Sequence, residues 1–209
     1  MRSLLDNPRL YDLVQTIVGI KATRERLQPH LARLDAGTLI DVGAGTGIWL
    51  SLVPDDIDLV AVDLDSEKLA RLRAKHPRVR TVIGDATRLP LEDGAADYAL
   101  CVSLTHHLDD AGLDLLAAEL ARVVRRKVIL LDAVSDQTPH IARLLWALDR
   151  GSHPRPSSVI REALERRLVL EHVETYSVHH RYLLCIGAPR SPAGGTPAGP
   201  RTDAADTAS

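Results

Sequence analysis

The sequence predicts an α/β chain built on a doubly wound, mostly parallel sheet. Three observations carry this expectation. The apolar stretch Leu39-Ile40-Asp41-Val42 runs directly into Gly43-Ala44-Gly45-Thr46-Gly47, as a buried strand enters a glycine-rich turn. From residue 38 onward, strand-like and helical patterns alternate. Asp63 and Asp85 end the next two strand-like runs, on the edge where an open parallel sheet receives its ligands.

At 209 residues the chain suits one domain with a core of its own. Aromatic residues make up only 3% and Phe is absent, so Leu, Val, Ile and Ala must fill that core. A net charge of −2 gives no global reason to expect a nucleic-acid partner. The basic clusters Arg122/Arg125/Arg126/Lys127 and Arg161/Arg166/Arg167 fall near predicted helix ends and read as solvated cations. Cys101 and Cys185 sit in apolar runs, as small buried hydrophobes do, and no His, Asp or Glu set has metal-ligand spacing. Met1 to Pro8 lacks the apolar core of a signal peptide, and no run approaches the ~20 apolar residues of a membrane span. A cytoplasmic location is expected.

Residues 1–36 read as an N-terminal helical segment, a lid or edge cover. It divides into one helix over Pro8–Gly19, with Leu10, Leu13, Val14 and Ile17 on one face, and another over Thr23–Leu34, where Pro29 is a potential break. Gly47-Ile48-Trp49-Leu50 reads as the start of a helix whose free N–H groups and positive dipole end face the ligand of the turn. Strands follow at Leu59–Val62, Val79–Ile83, Asp97–Val102 and Val128–Leu131, with helices over Ser66–His76 (Ser66 as N-cap) and Gly112–Val124. Two more helical patterns lie near Ile141–Leu148 and Val159–Arg167, and strand-like runs at Leu168–Tyr176 and Arg181–Ile186 close the domain, residues 37–188. Residues 189–209 are mostly Pro, Gly, Ala, Ser and Thr and read as a disordered tail.

The chemistry lies at the strand ends. Gly43, Gly45 and Gly47 are spaced Gly-x-Gly-x-Gly, unlike the dinucleotide fingerprint, and no Gly-Lys-Ser/Thr follows as in a phosphate loop. Asp63 stands at the separation expected of a ribose-binding acid, a role NAD would also require, while Asp65 suits the next helix. The stretch Asp41–Gly47 resembles the Asp-x-Gly-x-Gly-x-Gly motif of class I S-adenosylmethionine (SAM)-dependent methyltransferases. Gly84-Asp85-Ala86-Thr87-Arg88-Leu89-Pro90 resembles their Gly-Asp-Ala-x-x-Leu-Pro motif. The resemblance covers about residues 36–188 and implies a Rossmann-like, seven-stranded sheet with its last strand antiparallel to the rest. It implies SAM as cofactor, held by Asp41, Gly43, Ala44, Gly45 and Gly47 at the first turn and by Asp63 and Leu64 at the second. Asp85 would then accept from the adenine amino group and Ala86 would face a ring nitrogen, with Ser103 completing the set.

Strand four exits through Ser103-Leu104-Thr105-His106-His107-Leu108, which resembles a His-ended run in small-molecule methyltransferases. The resemblance implies that this loop faces the transferred methyl, with His107 as general base or pocket lining. Tyr11, His106, His107, Trp146 and Arg150 would line the acceptor pocket. Asp132, Asp136, His140, His153 and Arg155, read as lying beyond strand five, fall in the region that shapes that pocket, and Arg150 or Arg155 could hold an anionic group. The Asn/Asp-Pro-Pro-Tyr signature of amino-base and glutamine methylation is absent. The implied function is methyl transfer from SAM to a small-molecule acceptor at oxygen, nitrogen or carbon. A non-catalytic SAM-binding interaction protein shares these residues. An NAD-dependent oxidoreductase would need the other glycine spacing and a hydride-transfer set such as Tyr-x-x-x-Lys.

Overall fold

A computed structural model describes residues 8–136, 153–178 and 181–190, with side chains from residue 19 onward. The strands are β1 (Gly37–Val42), β2 (Ile57–Asp63), β3 (Arg80–Ile83), β4 (Ala96–Val102), β5 (Val124–Val134), β6 (Leu168–Ser177) and β7 (Arg181–Pro189). The helices are α1 (Pro8–Leu31), α2 (Ser66–Lys75), α3 (Asp110–Val123) and α4 (Ser157–Glu165). The strands form one sheet in the order β3-β2-β1-β4-β5-β7-β6. Strands β1 to β5 pair in parallel, whereas β7 runs antiparallel to both β5 and β6. The sheet is therefore mixed: a Rossmann-like parallel body carrying one antiparallel hairpin.

Strand alternation sorts the core into two layers, because successive side chains point to opposite faces. Ile40, Val42, Val60, Val62, Ala99, Cys101, Val128 and Leu130 meet Leu113, Leu116 and Leu120 of α3 and Ile160 and Leu164 of α4. Leu39, Leu100, Ile129, Leu131, Leu184 and Ile186 face the other way, onto Leu27 and Leu31 of α1. Helix α2 packs Leu69 and Leu72 against Ala61 and Val79 in a third cluster. Both faces are thus covered, as a largely parallel sheet requires. Cys101 and Cys185 are free and buried within β4 and β7.

Several local expectations need correction. The N-terminal helical pattern is one continuous helix, not two. Pro29 falls inside its last turn, so only Leu31, which is fully buried, and its neighbour depend on passing the missing N–H. No α-helix follows Gly47. The chain makes only a 3-10 turn at Leu50–Leu52, because Leu50 packs beneath α2 while Leu52 packs with α1. Pro54 and β2 at Ile57 leave no room for more. The expected helix dipole at the end of the glycine turn is therefore absent. The N-cap of α2 is Asp65 rather than Ser66; its carboxylate accepts from the backbone N–H of Glu67 and Lys68 at 2.9 and 3.1 Å. Asp132 lies within β5, which runs on to Val134. The basic cluster before it is paired rather than simply solvated: Arg122 with Glu119 and Asp93, Arg125 with Asp97, Arg126 with Asp35. The expected helix near Ile141–Leu148, the side chain of Tyr11, and His140, Trp146 and Arg150 lie outside the described residues, as does the tail from residue 191.

Candidate functional site

The strand order reverses between β1 and β4, and the crevice outside the carboxyl ends of the strands at such a point is where open α/β sheets bind ligands. A cavity of 340 Å³ lies there. Its walls bring together Gly43, Gly45, Asp63, Leu64, Asp85, Ala86, Ser103 and His107, all expected site residues. Lys68, Leu104 and Leu108 join them without having been anticipated; Lys68 sits in the first turn of α2, its ammonium 3.9 Å from Asp65 Oδ2. A larger cavity of 510 Å³ lies at the amino end of β2, between Leu50 and Val79, away from that edge.

The glycine turn is fastened from below. Gly43 and Ala44 both donate to the carbonyl of Val62, at 2.8 and 3.1 Å, and Gly45 N–H donates to Asp63 Oδ2 at 2.8 Å. Asp63 Oδ1 accepts from Asp65 N–H at 2.9 Å. A Cβ on Gly45, at φ +54°, would meet nothing within 4 Å, so the backbone there borders open space. At Gly47, φ +74°, it would strike Leu50 and Leu72 at 3.0 Å. Gly47 and Ala44 therefore belong to the packing behind the turn, and they do not line the cavity.

Asp41 does not line it either. Its side chain is buried in β1 and Oδ2 has no hydrogen-bond partner among the described residues. Burial pushes its carboxyl up to about 7, and the negative charge of Asp63 adds to the rise. Asp85 forms an Asx turn after β3, with Oδ1 accepting from both the backbone N–H and the hydroxyl of Thr87 at 2.8 Å. Ser103 has φ +56°, the one positive φ outside glycine among the described residues, and donates its N–H to Leu131 at 2.9 Å. Backbone strain of this kind collects at ligand sites.

The two histidines part company. His107 faces the cavity, whereas His106 is buried and its Nδ1 meets Asp132 Oδ1 at 2.7 Å. The rings lie 4.1 Å apart, centroid to centroid. Asp132 also accepts at Oδ2 from the N–H of Thr105 (2.5 Å) and its hydroxyl (2.7 Å), and at Oδ1 from Ala133 N–H (2.7 Å). Burial alone would raise the Asp132 carboxyl; the bonds from His106, Thr105 and Ala133, with the His106 charge, hold it below its ordinary value. Arg155 neither faces solvent nor waits for an anion. It is buried and donates to the carbonyls of Thr105 and Leu108 at 2.8 and 2.6 Å, with Asp110 at its rim. Sequence reasoning gave Asp132 and Arg155 no such part; a charged residue ending the apolar run of β5 was the available signal.

Residues 39–127 match the family profile described as "Methyltransferase domain". An uncharacterised methyltransferase of Mycobacterium tuberculosis is 38% identical over 91 residues, 43% of this chain and 36% of the relative. A probable S-adenosylmethionine-dependent methyltransferase of the same organism is 30% identical over 108 residues, 51% of this chain and 38% of its own. A demethylmenaquinone methyltransferase of Mycolicibacterium gilvum is 35% identical over 127 residues, 56% and 51% of the two chains. This chain thus spans about a third to a half of the length of these relatives. Among solved structures, geranyl diphosphate C-methyltransferase from Streptomyces coelicolor superposes with a TM-score of 0.69 at 15% identity, covering 91% of this chain and 90% of that one, a likeness of fold.

Proposed function

We propose that this chain is a class I SAM-dependent methyltransferase that transfers the methyl group of SAM to a small-molecule acceptor. The observation that supports this best is the cavity at the carboxyl ends of the parallel strands, where the glycine turn, Asp63 and Asp85 converge. Its 340 Å³ falls within the ~300–1,000 Å³ of small-ligand pockets. The residues present fit the cofactor. Gly45 offers bare backbone, Leu64 stands 68% exposed beside Asp63, and apolar surface from Ala86, Leu104 and Leu108 suits a flat ring.

When bound, SAM supplies a methyl carbon already activated by its positive sulfur. Asp63 would accept from the ribose hydroxyls; a carboxylate has about four acceptor positions, and Gly45 and Asp65 use two. Asp85 would take the adenine amino group, with Ala86 N–H toward the ring. Lys68 and Ser103 border the same space. His107 would line the path of the acceptor and take its proton where one is lost. Alignment of acceptor and methyl is the protein's main task, worth roughly 7–11 kcal/mol. Small molecules are the acceptor class we favour, because demethylmenaquinone and geranyl diphosphate are named for relatives of this fold and the described arginine clusters are tied to carboxylates. Among the described residues no helix is long and apolar enough to cross a membrane, and a cytoplasmic enzyme is the corresponding reading.

Thermal unfolding with S-adenosylhomocysteine, SAM and NAD(H), each added separately, tests the proposal. A ligand at ~100 times its dissociation constant adds about 2.7 kcal/mol, which for a domain this size raises the midpoint by about 5–10 °C. The SAM pair should give that rise, and Asp63→Ala and Asp85→Ala should abolish it. A rise with NAD(H) alone would overturn the reading.

A further inference from the structure

The wall of the cavity formed by Ser103, Leu104, His107 and Leu108 belongs to a single turn after β4, and two buried charged side chains that do not line the cavity bond to this turn. The first is Asp132 of β5, fully buried, whose two oxygens collect four donors: Thr105 N–H and hydroxyl on Oδ2, His106 Nδ1 and Ala133 N–H on Oδ1. Four donors satisfy an ionised carboxylate completely, and no neutral side chain of that size can accept them all. The second is Arg155, whose guanidinium bridges the carbonyls of Thr105 and Leu108. The backbone of the same segment adds His153 N–H to the carbonyl of His106 at 2.5 Å, and Ser135 N–H ties Arg155 back to the end of β5 at 2.9 Å. The turn's own bonds, His107 N–H to Leu104 and Leu108 N–H to Thr105, close a 3-10 loop between these two anchors. Neither Asp132 nor Arg155 touches the cavity.

We propose that Asp132 and Arg155 are positioning residues for the cofactor: one takes the turn's N–H and hydroxyl donors, the other its carbonyls, and together they set the wall against which the cofactor packs. The inference rests on the cofactor reading above. Leu104 and Leu108 pack the turn against the core, but its local backbone is short and irregular. Its backbone carries positive φ at Ser103, and it spans only three 3-10 residues, Thr105–His107. A buried anion and a buried fork of donors supply the order that local sequence does not. The carboxylate also fixes the ring of His106 through Nδ1, and the His107 ring lies tilted against it, 4.1 Å away centroid to centroid.

The test is calorimetric titration of S-adenosylhomocysteine into the full chain, paired with the unfolding midpoint of each variant. Arg155→Lys keeps the charge but replaces the planar fork with a point donor that cannot bridge two carbonyls. It should weaken binding by about tenfold or more, the scale on which an ångström of misplacement acts. Thr105→Val removes one of the four donors to Asp132 and should weaken binding by a few-fold, whereas Thr105→Ser, which keeps the hydroxyl, should restore it. Asp132→Asn should show the largest loss; where it fails to fold, the Arg155 and Thr105 variants decide. Thr23→Val, which breaks the 3.2 Å bond to Tyr176 between α1 and β6, is the control: it should lower the midpoint and leave binding unchanged. If Arg155→Lys and Thr105→Val lower only the midpoint, as the control does, the pair is merely structural and the inference falls. If the wild-type chain does not bind S-adenosylhomocysteine at all, the cofactor reading falls with it.

Discussion

Asp41 and Asp132 are both sealed inside the sheet, 2% and 0% exposed, and their surroundings treat them in opposite ways. Asp132 at the end of β5 meets four donors, and its carboxyl is held below its ordinary value. Asp41, in β1 just before the glycine turn, leaves Oδ2 unpartnered, and burial pushes it up to about 7. Equal burial therefore does not mean equal energy. What decides is whether donors converge on the charge. The β5 end is a finished abutment, while the β1 end, beside the cavity, carries a stored electrostatic cost.

The comparison can be broken most directly at Asp132. Asp132→Ala strands four donors in the interior and should cost about 3–5 kcal/mol, read by urea unfolding at neutral pH. A loss below about 1 kcal/mol would mean that the four bonds contribute little net stability. The contribution has a pH signature: with the folded carboxyl depressed, it is fully present above the unfolded value near 3.8 and is lost as pH falls through the folded value.

Asp41→Asn should act with the opposite sign. The folded carboxyl is raised from 3.8 to about 7, so its cost is absent below pH 3.8, grows from there to about 7, and is constant above. The variant should match the wild type near pH 4 and exceed it at pH 8, by at most ~4 kcal/mol at 1.36 kcal/mol per unit. Parallel stability curves across that window would remove the contrast between the two acids.

The glycine turn offers a smaller and sharper test. Gly47→Ala places a methyl 3.0 Å from Leu50 and Leu72 at positive φ, so it should destabilise by about 2–3 kcal/mol. Gly45→Ala pays only the backbone term, about 1–2 kcal/mol, because nothing lies within 4 Å, yet it should reduce S-adenosylhomocysteine affinity tenfold or more. Equal affinity losses in the two variants would show that both glycines serve the turn alone. The smallest effect belongs to Asp65→Ala. Removing the N-cap of α2 should cost about 1 kcal/mol in thermal unfolding and leave the ligand shift intact, in contrast to Asp63→Ala.

Much of this was readable in the chain because it depends on near neighbours. The near-continuous apolar runs Leu39–Val42 and Val128–Leu131 specify strands buried on both faces, and the motif around Gly84 sets a turn that Asp85 closes on Thr87. The pairing of Asp63 with Gly45 was foreshadowed by their separation, although its use as a brace for the turn was not. Where local signals competed, the sequence left two readings open. Ser66 and Asp65 both suit an N-cap, and only the observed backbone, extended at Asp65, decides between them.

The sequence by itself determined the alternation of strands and helices along the chain, the glycine turn and the acids that end β2 and follow β3, since each is written in spacings of a few residues. Tertiary structure alone decided that no helix follows Gly47, because Leu50 and Leu52 are drawn into different clusters. It alone placed Asp132 against His106 across 26 residues and Arg155 against Thr105 across 50. The physical reason is common to these cases: a buried charge or side chain takes its partner from whatever the fold brings within hydrogen-bonding reach, and that proximity is not encoded in any local pattern.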